Sequence, residues 1–260
     1  TGVPLGMFIG QHFGWRMTFL AVAALGLLAF VGSLIFIPKN ITHTPPASVA
    51  KQLAVLHQPR LVMVYAMTAL GYGGTFLAFT YLVSILQTIS GFSMNAVNWI
   101  VLIYGISTAV GNIWGGRLAD KLGPIHALQI IFAILAMVLL AFTFAAPYPW
   151  LALAVVVCWG AVAFGNVPGL QVYVVKQAER FTPEAVDVAS GLNIAAFNLG
   201  IAGGAWAGGL IVAHFGLIHT AWVGALVVLL ALVLTTWSGR LDRAAGIDLK
   251  AKPLTAMAAH

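Results

Sequence analysis

Of the 260 residues, 61% are hydrophobic and only 7% are charged, a balance that excludes an ordinary soluble domain. The formal charge of +6 comes without an aromatic-rich basic cluster, which points to anionic lipid headgroups and away from nucleic acid. A membrane-spanning barrel would alternate apolar and polar residues in short segments, whereas this chain repeats apolar runs of about 20 residues, enough to cross a hydrocarbon core as helices.

The opening TGVPLGMFIG reads as the end of a span already under way, with Gly2, Gly6 and Gly10 spaced by four around Pro4 and no signal peptide ahead of them. A piece of a longer chain with further spans before Thr1 is therefore expected, although an arbitrary chain boundary would look the same. Spans follow at 17–37, 61–86, 96–115, 126–146, 149–175, 190–213 and 218–238, numbered one to seven here. Most lack the polar face of a helix buried in a soluble core. The fold class expected is all-α integral membrane, with seven helices and the end of an eighth.

Basic residues set the orientation. With the 38–60 loop in the cytoplasm, that side holds Lys39, Lys51, Arg60, Arg117, Lys121, Lys176, Arg180, Arg240, Arg243, Lys250 and Lys252, leaving only Arg16 outside. The positive-inside rule then places the C-terminus in the cytoplasm. The lone Cys158 permits no disulfide within the chain. His214 and His219 flank one short turn without cysteine or carboxylate company, so interfacial histidines are the better reading than a metal site, and neither metal nor cofactor is expected.

Amides within spans turn toward another helix or a wet cavity. Span three carries Asn98 and Asn112, span five Asn166 and Gln171, and span six Asn193 and Asn198. Span two is polar through Tyr65, Thr68, Tyr72, Thr75, Thr80 and Tyr81, while spans one, four and seven have almost no amides, Gln129 near the cytoplasmic end of span four being the exception. This rhythm predicts triplets with two interior helices and one peripheral helix, as in transporters built from inverted repeats. In span six, Gly200, Gly204 and Gly208 form a stripe that favours tight helix packing, with Asn193 within about 20° to 60° of it and Asn198 about 140° from Asn193. In span five, GNVPG at 165–169 predicts a break around Pro168. Carbonyls freed there, with Asn166, are candidates for contact with substrate or water; a kink that only shapes the bundle is the alternative.

Arg117, Asp120 and Lys121 are the only charged residues between Leu61 and Val175, and all fall in GGRLADKLG at 115–123. The stretch reads as a short cytoplasmic turn between spans three and four, with Asp120 placed to cap span four. Its Gly116, Leu118, Ala119, Asp120, Lys121 and Gly123 resemble the loop signature of the major facilitator superfamily. TGVPLGMFIGQHFGWRMTF is similar to the fifth-helix motif of that family's antiporter branches, and PGLQVYVV and SGLNIAAFNLGIAGGAWAGG to the tenth and eleventh helices of its arabinose-efflux-permease and drug-efflux group. Pro124, Ile125 and His126 depart from the basic residues that usually follow the signature's last glycine.

The resemblance implies part of a twelve-helix fold: 1–38 ends an N-terminal half, 39–60 is the cytoplasmic central loop, 61–238 is the C-terminal six-helix half and 239–260 is a cytoplasmic tail. It also implies a multi-pass protein of a bacterial inner membrane that exports small molecules of the sugar or drug class by proton antiport. Gly116, Arg117, Asp120, Lys121 and Gly123 would form a conformational latch. The residues expected to line the substrate path are Tyr72, Thr75, Phe76, Tyr104, Trp159, Asn166, Asn193 and Asn198. No span holds a titratable group suited to proton coupling, so the acid is expected in the absent N-terminal half. An intramembrane enzyme would need convergent catalytic groups that the spans lack. A scaffold or sensor derived from a transporter half, or an importer, remain as alternatives.

Overall fold

The computed structural model describes residues 6, 9, 10, 13–36, 48, 52 and 54–246. Gly2 and most of the central loop and tail lie outside the described residues. Helix α1 runs Trp15–Phe36, α2 Pro59–Phe79, α3 Leu82–Thr88, α4 Met94–Leu122, α5 Pro124–Ala145, α6 Pro149–Ala163, α7 Asn166–Phe181, α8 Val186–Phe215 and α9 His219–Ala244. With α2 and α3 taken together, and α6 with α7, seven stretches among the described residues are long and apolar enough to cross a membrane. The chain is a multi-pass helical membrane protein.

Local chemistry sets the helix ends. Pro59, Pro124 and Pro149 sit at the first positions of α2, α5 and α6, where an absent N–H costs nothing. Ser93 caps α4 by accepting the Ala96 N–H. Gly123 and Gly216 close α4 and α8 with φ of 83° and 96°, which side chains disfavour.

Helix α2 is the hub, packed on α8 and α9; α9 continues onto α5, and α4 packs on α6. No residue of α1 is buried. Gly6 and Gly10 both face Thr18, whose hydroxyl donates to the Gly6 carbonyl at 3.1 Å. The predicted glycine stripe is a contact seam: a Cβ at Gly200, Gly204 or Gly208 would run into the α2 backbone at Ala69, Gly73 or Leu77. A second seam, at Gly111 and Gly115 of α4, abuts Ala161 and Gly165. Close backbone approach of this kind replaces the hydrophobic drive that lipid cannot supply.

Two sequence expectations are corrected. GGRLADKLG is not a turn: residues up to Leu122 complete α4, because Arg, Leu, Ala and Lys are good helix formers, and only Gly123 reverses the chain. Asp120 therefore ends one helix rather than capping the next, whose N-cap is Gly123 with no side-chain cap bond. The second is at the tail boundary: α9 continues past 238 to Ala244 and buries Asp242, which the sequence alone places in the tail.

Candidate functional site

The break in span five falls at Phe164–Gly165, just ahead of the expected centre. Pro168 has no N–H to offer the carbonyl four residues before it, that of Phe164. That carbonyl instead accepts from the Val167 N–H at 3.3 Å and from Asn112 Nδ2 at 3.4 Å. The freed acceptor is thus held inside the protein, and α7 starts afresh with Pro168 in its first turn.

Beside this break lies a cavity of about 320 Å³, within the range of small-molecule sites. Helix α2 supplies Thr68 and Tyr72, one turn apart; α7 supplies Val167, Leu170 and Gln171; α8 supplies Asn193, Ile194 and Phe197; Asn112 and Phe164 complete the wall. None of the lining comes from α1, α5 or α9, the three spans that the polar rhythm set apart.

A hydrogen-bond chain crosses this wall. The Thr68 hydroxyl donates to Asn193 Oδ1 at 2.7 Å, Asn193 Nδ2 donates to Gln171 Oε1 at 3.4 Å, and Gln171 Nε2 donates to the Ser190 hydroxyl. Tyr72 packs edge-on against Phe197 at 4.1 Å and Phe164 at 5.9 Å. Its hydroxyl is buried without a hydrogen-bond partner among the described residues. All lining residues are uncharged. The amides and hydroxyls of the wall are spent largely on one another, so the surface it presents is mostly apolar with aromatic edges and suits an uncharged molecule with apolar faces.

Of the residues expected along the substrate path, Tyr72 and Asn193 line the cavity. Thr75 is fully buried and its hydroxyl donates to Gly71 of its own helix at 2.9 Å. Phe76, Tyr104 and Trp159 belong to an aromatic cluster with Phe79, in which Phe79 and Tyr104 stack at 4.9 Å and Tyr104 meets Trp159 edge-on at 5.8 Å. Asn166 is buried outside the lining with neither amide atom bonded, and Asn198 is exposed, donating to the Ile194 carbonyl at 2.9 Å. Thr68, Asn112, Phe164, Gln171, Ser190 and Phe197 were not in the expected set. The polar rhythm already contained Thr68, Asn112 and Gln171, and it lacked only their direction around the helix.

Among the latch residues, Arg117, Asp120 and Lys121 are exposed at the end of α4, and Gly116 is half-buried against Pro168. Arg117 and Asp120 form no ion pair with each other. At the opposite turn, His219 Nδ1 accepts the Trp222 indole N–H at 2.9 Å, and His214 Nδ1 lies 2.8 Å from the Leu210 carbonyl of its own helix.

The sequence is similar to those of known membrane transport proteins. The family model described as Major Facilitator Superfamily matches residues 1–181. The MFS-type transporter YtbD of Bacillus subtilis is 49% identical over 94% of this chain and 61% of its own length. The inner membrane transport protein YdhP of Escherichia coli K12 is 37% identical over 92% of this chain and 60% of its own. A probable sugar efflux transporter of Mannheimia succiniciproducens is 31% identical over 86% and 55%. The chain thus spans about three fifths of the length of the curated relatives it matches. With the family model covering most of the chain, these matches and the helical bundle establish that the chain belongs to the Major Facilitator Superfamily, a family of membrane transporters rather than enzymes.

Proposed function

We propose that this chain forms one half of a secondary active transporter that exports small uncharged molecules, sugars first among them, by alternating access with an N-terminal half outside the sequence. The uncharged cavity carries the reading: edge-on aromatics match the C–H faces of a sugar, and Thr68, Asn193 and Gln171 can exchange their mutual bonds for bonds to its hydroxyls. Export is favoured by the relatives described as probable sugar efflux transporters, and a bacterial inner membrane by the relative so described. Proton antiport is part of the proposal, with the coupling acid in the other half, because the lining here has no titratable group poised for it.

The test is an efflux assay on the full-length protein in inverted vesicles, with a panel of uncharged sugars and cationic drugs, with and without a proton uncoupler. Sugar movement abolished by the uncoupler is expected. Preference for cations would overturn the substrate class, and insensitivity to the uncoupler would remove antiport. In the same assay Asn193→Ala, which strips partners from both Thr68 and Gln171, is expected to raise the half-saturation concentration about tenfold, since each buried polar group left unpaired costs on the order of 1–3 kcal/mol.

Orientation is tested separately. In a Cys158→Ala background, a cysteine replacing exposed Tyr148 is expected to react with an impermeant reagent added outside cells, and one replacing exposed Glu184 is not. Reversed labelling would turn the cytoplasmic face, and the placement of the C-terminus with it, to the other side.

A further inference from the structure

Away from the cavity, a second polar cluster joins three helices. Asp242 near the end of α9 is 2% exposed. Its carboxylate accepts from Arg60 Nη1 at 3.2 Å, from the Tyr173 hydroxyl at 2.6 Å and from Gln177 Nε2 at 3.0 and 3.1 Å. Arg60 Nη2 also donates to the Leu241 carbonyl at 3.2 Å, and Ser238 lies 2.6 Å from the Tyr173 hydroxyl. The start of α2, the second half of α7 and the end of α9 are thereby tied at one carboxylate.

The position of α7 gives this cluster its role. Regular helix is interrupted at Phe164–Gly165, so the rotation of α7 relative to α6 rests on one turn rather than on a continuous ladder of helical hydrogen bonds. Tyr173 lies about 200° around α7 from Gln171, and Gln177 about 40° beyond Tyr173. One face of α7 is therefore pinned to α9 and α2 through Asp242, while the opposite face delivers Gln171 to Asn193 and Ser190. Rotating Gln171 out of the cavity requires breaking the bonds behind it.

We propose that Tyr173, Gln177 and Asp242 are positioning residues, fixing the rotation of α7 so that Gln171 completes the cavity wall. This rests on the reading of the cavity as the substrate path. Tyr173→Phe deletes only the hydroxyl and leaves the ring and the Arg60–Asp242 pair in place. In the full-length transporter, Tyr173→Phe is expected to raise the half-saturation concentration about threefold to tenfold with little change in maximal rate per folded molecule. Because it acts through Gln171, the double variant with Gln171→Ala is expected to be no worse than Gln171→Ala alone. The rate at which Val167→Cys, in a Cys158→Ala background, reacts with a thiol reagent is expected to shift at least about twofold when Tyr173→Phe is added. Additive effects, or a lower melting temperature with unchanged half-saturation and labelling, would overturn the proposal. If Gln171→Ala itself leaves half-saturation unchanged, the cavity reading fails, and the Val167→Cys rate alone decides the positioning. Should Tyr173→Phe not fold, Gln177→Met, which keeps the side-chain length and removes the bonds to Asp242 while leaving the Arg60–Asp242 pair, carries the same expectations.

Discussion

Gly115→Ala is expected to prevent assembly of the bundle, whereas Gly116→Ala, one residue further on, is expected to be tolerated. A Cβ on Gly115 would overlap the Gly165 carbonyl, and both partners are main chain, so no side chain can swing aside. Relief requires α4 to separate from the α6–α7 junction, which also carries the Asn112 bond to Phe164. Overpacking a fitted core costs about 1–3 kcal/mol, and a backbone collision belongs at or above the top of that range. A Cβ on Gly116 meets only the Pro168 ring, at 3.7 and 3.8 Å, ordinary contact distances. Replacing a mid-helix glycine with alanine there gains up to about 1 kcal/mol of helix propensity. The comparison is made by folded yield and thermal unfolding in detergent. Equal behaviour of the two variants would mean that the α4 seam is looser than its geometry.

The contrast between these neighbours marks what the sequence makes legible. A span announces itself because lipid requires an unbroken apolar run, so the helices could be placed from composition alone. The stripe at Gly200, Gly204 and Gly208 was visible because its three members share one helix at a four-residue interval. The Gly111–Gly115 seam was not, since it acquires meaning only from Ala161 and Gly165 in another span. The polar rhythm separates the helices that line this cavity from α1, α5 and α9, because amides such as Asn193 and Gln171 turn to one another rather than to lipid. It could not rank residues along a helix. Thr75 lies within about 20° of Thr68 around α2 but two turns away, where it is fully buried and its hydroxyl is bonded to Gly71 of its own helix. Asn198 is expected in the lining even though its angle puts it on a different surface from Asn193, and the angle prevails: it is exposed and outside this cavity. Asp242 was hidden for a further reason: its Arg60 and Tyr173 partners lie 182 and 69 residues away, and an acid outside an apolar run reads as solvated until they are found.

Asp120→Asn is expected to leave the fold intact and to cost the full-length transporter at least about tenfold in rate. The sequence allowed a purely structural role, a cap on the helix that follows, and for that role asparagine would serve nearly as well. The geometry removes it: Asp120 is exposed in the last turn of α4, and α5 begins from Gly123. At a helix C-terminus a negative charge meets the negative end of the dipole, a penalty of about 0.3–1 kcal/mol. Arg117, one turn earlier, does not relieve it by pairing. Neutralising Asp120 should therefore hold or slightly raise the melting temperature. A charge that gains the fold nothing is free to serve a contact made elsewhere, and with Arg117 unpaired to it the latch that the resemblance implies leaves a neighbouring helix end as the partner. A charge-assisted hydrogen bond lost from one conformational state is worth about 1.5–3 kcal/mol, enough to move the balance between states tenfold or more. Cysteine accessibility should accordingly shift toward the inward-open form, with Asp120→Glu retaining part of the wild-type rate. If Asp120→Asn transports at the wild-type rate with unchanged accessibility, Asp120 has no latch function, and the three charges of GGRLADKLG serve only to keep the end of α4 at the aqueous face.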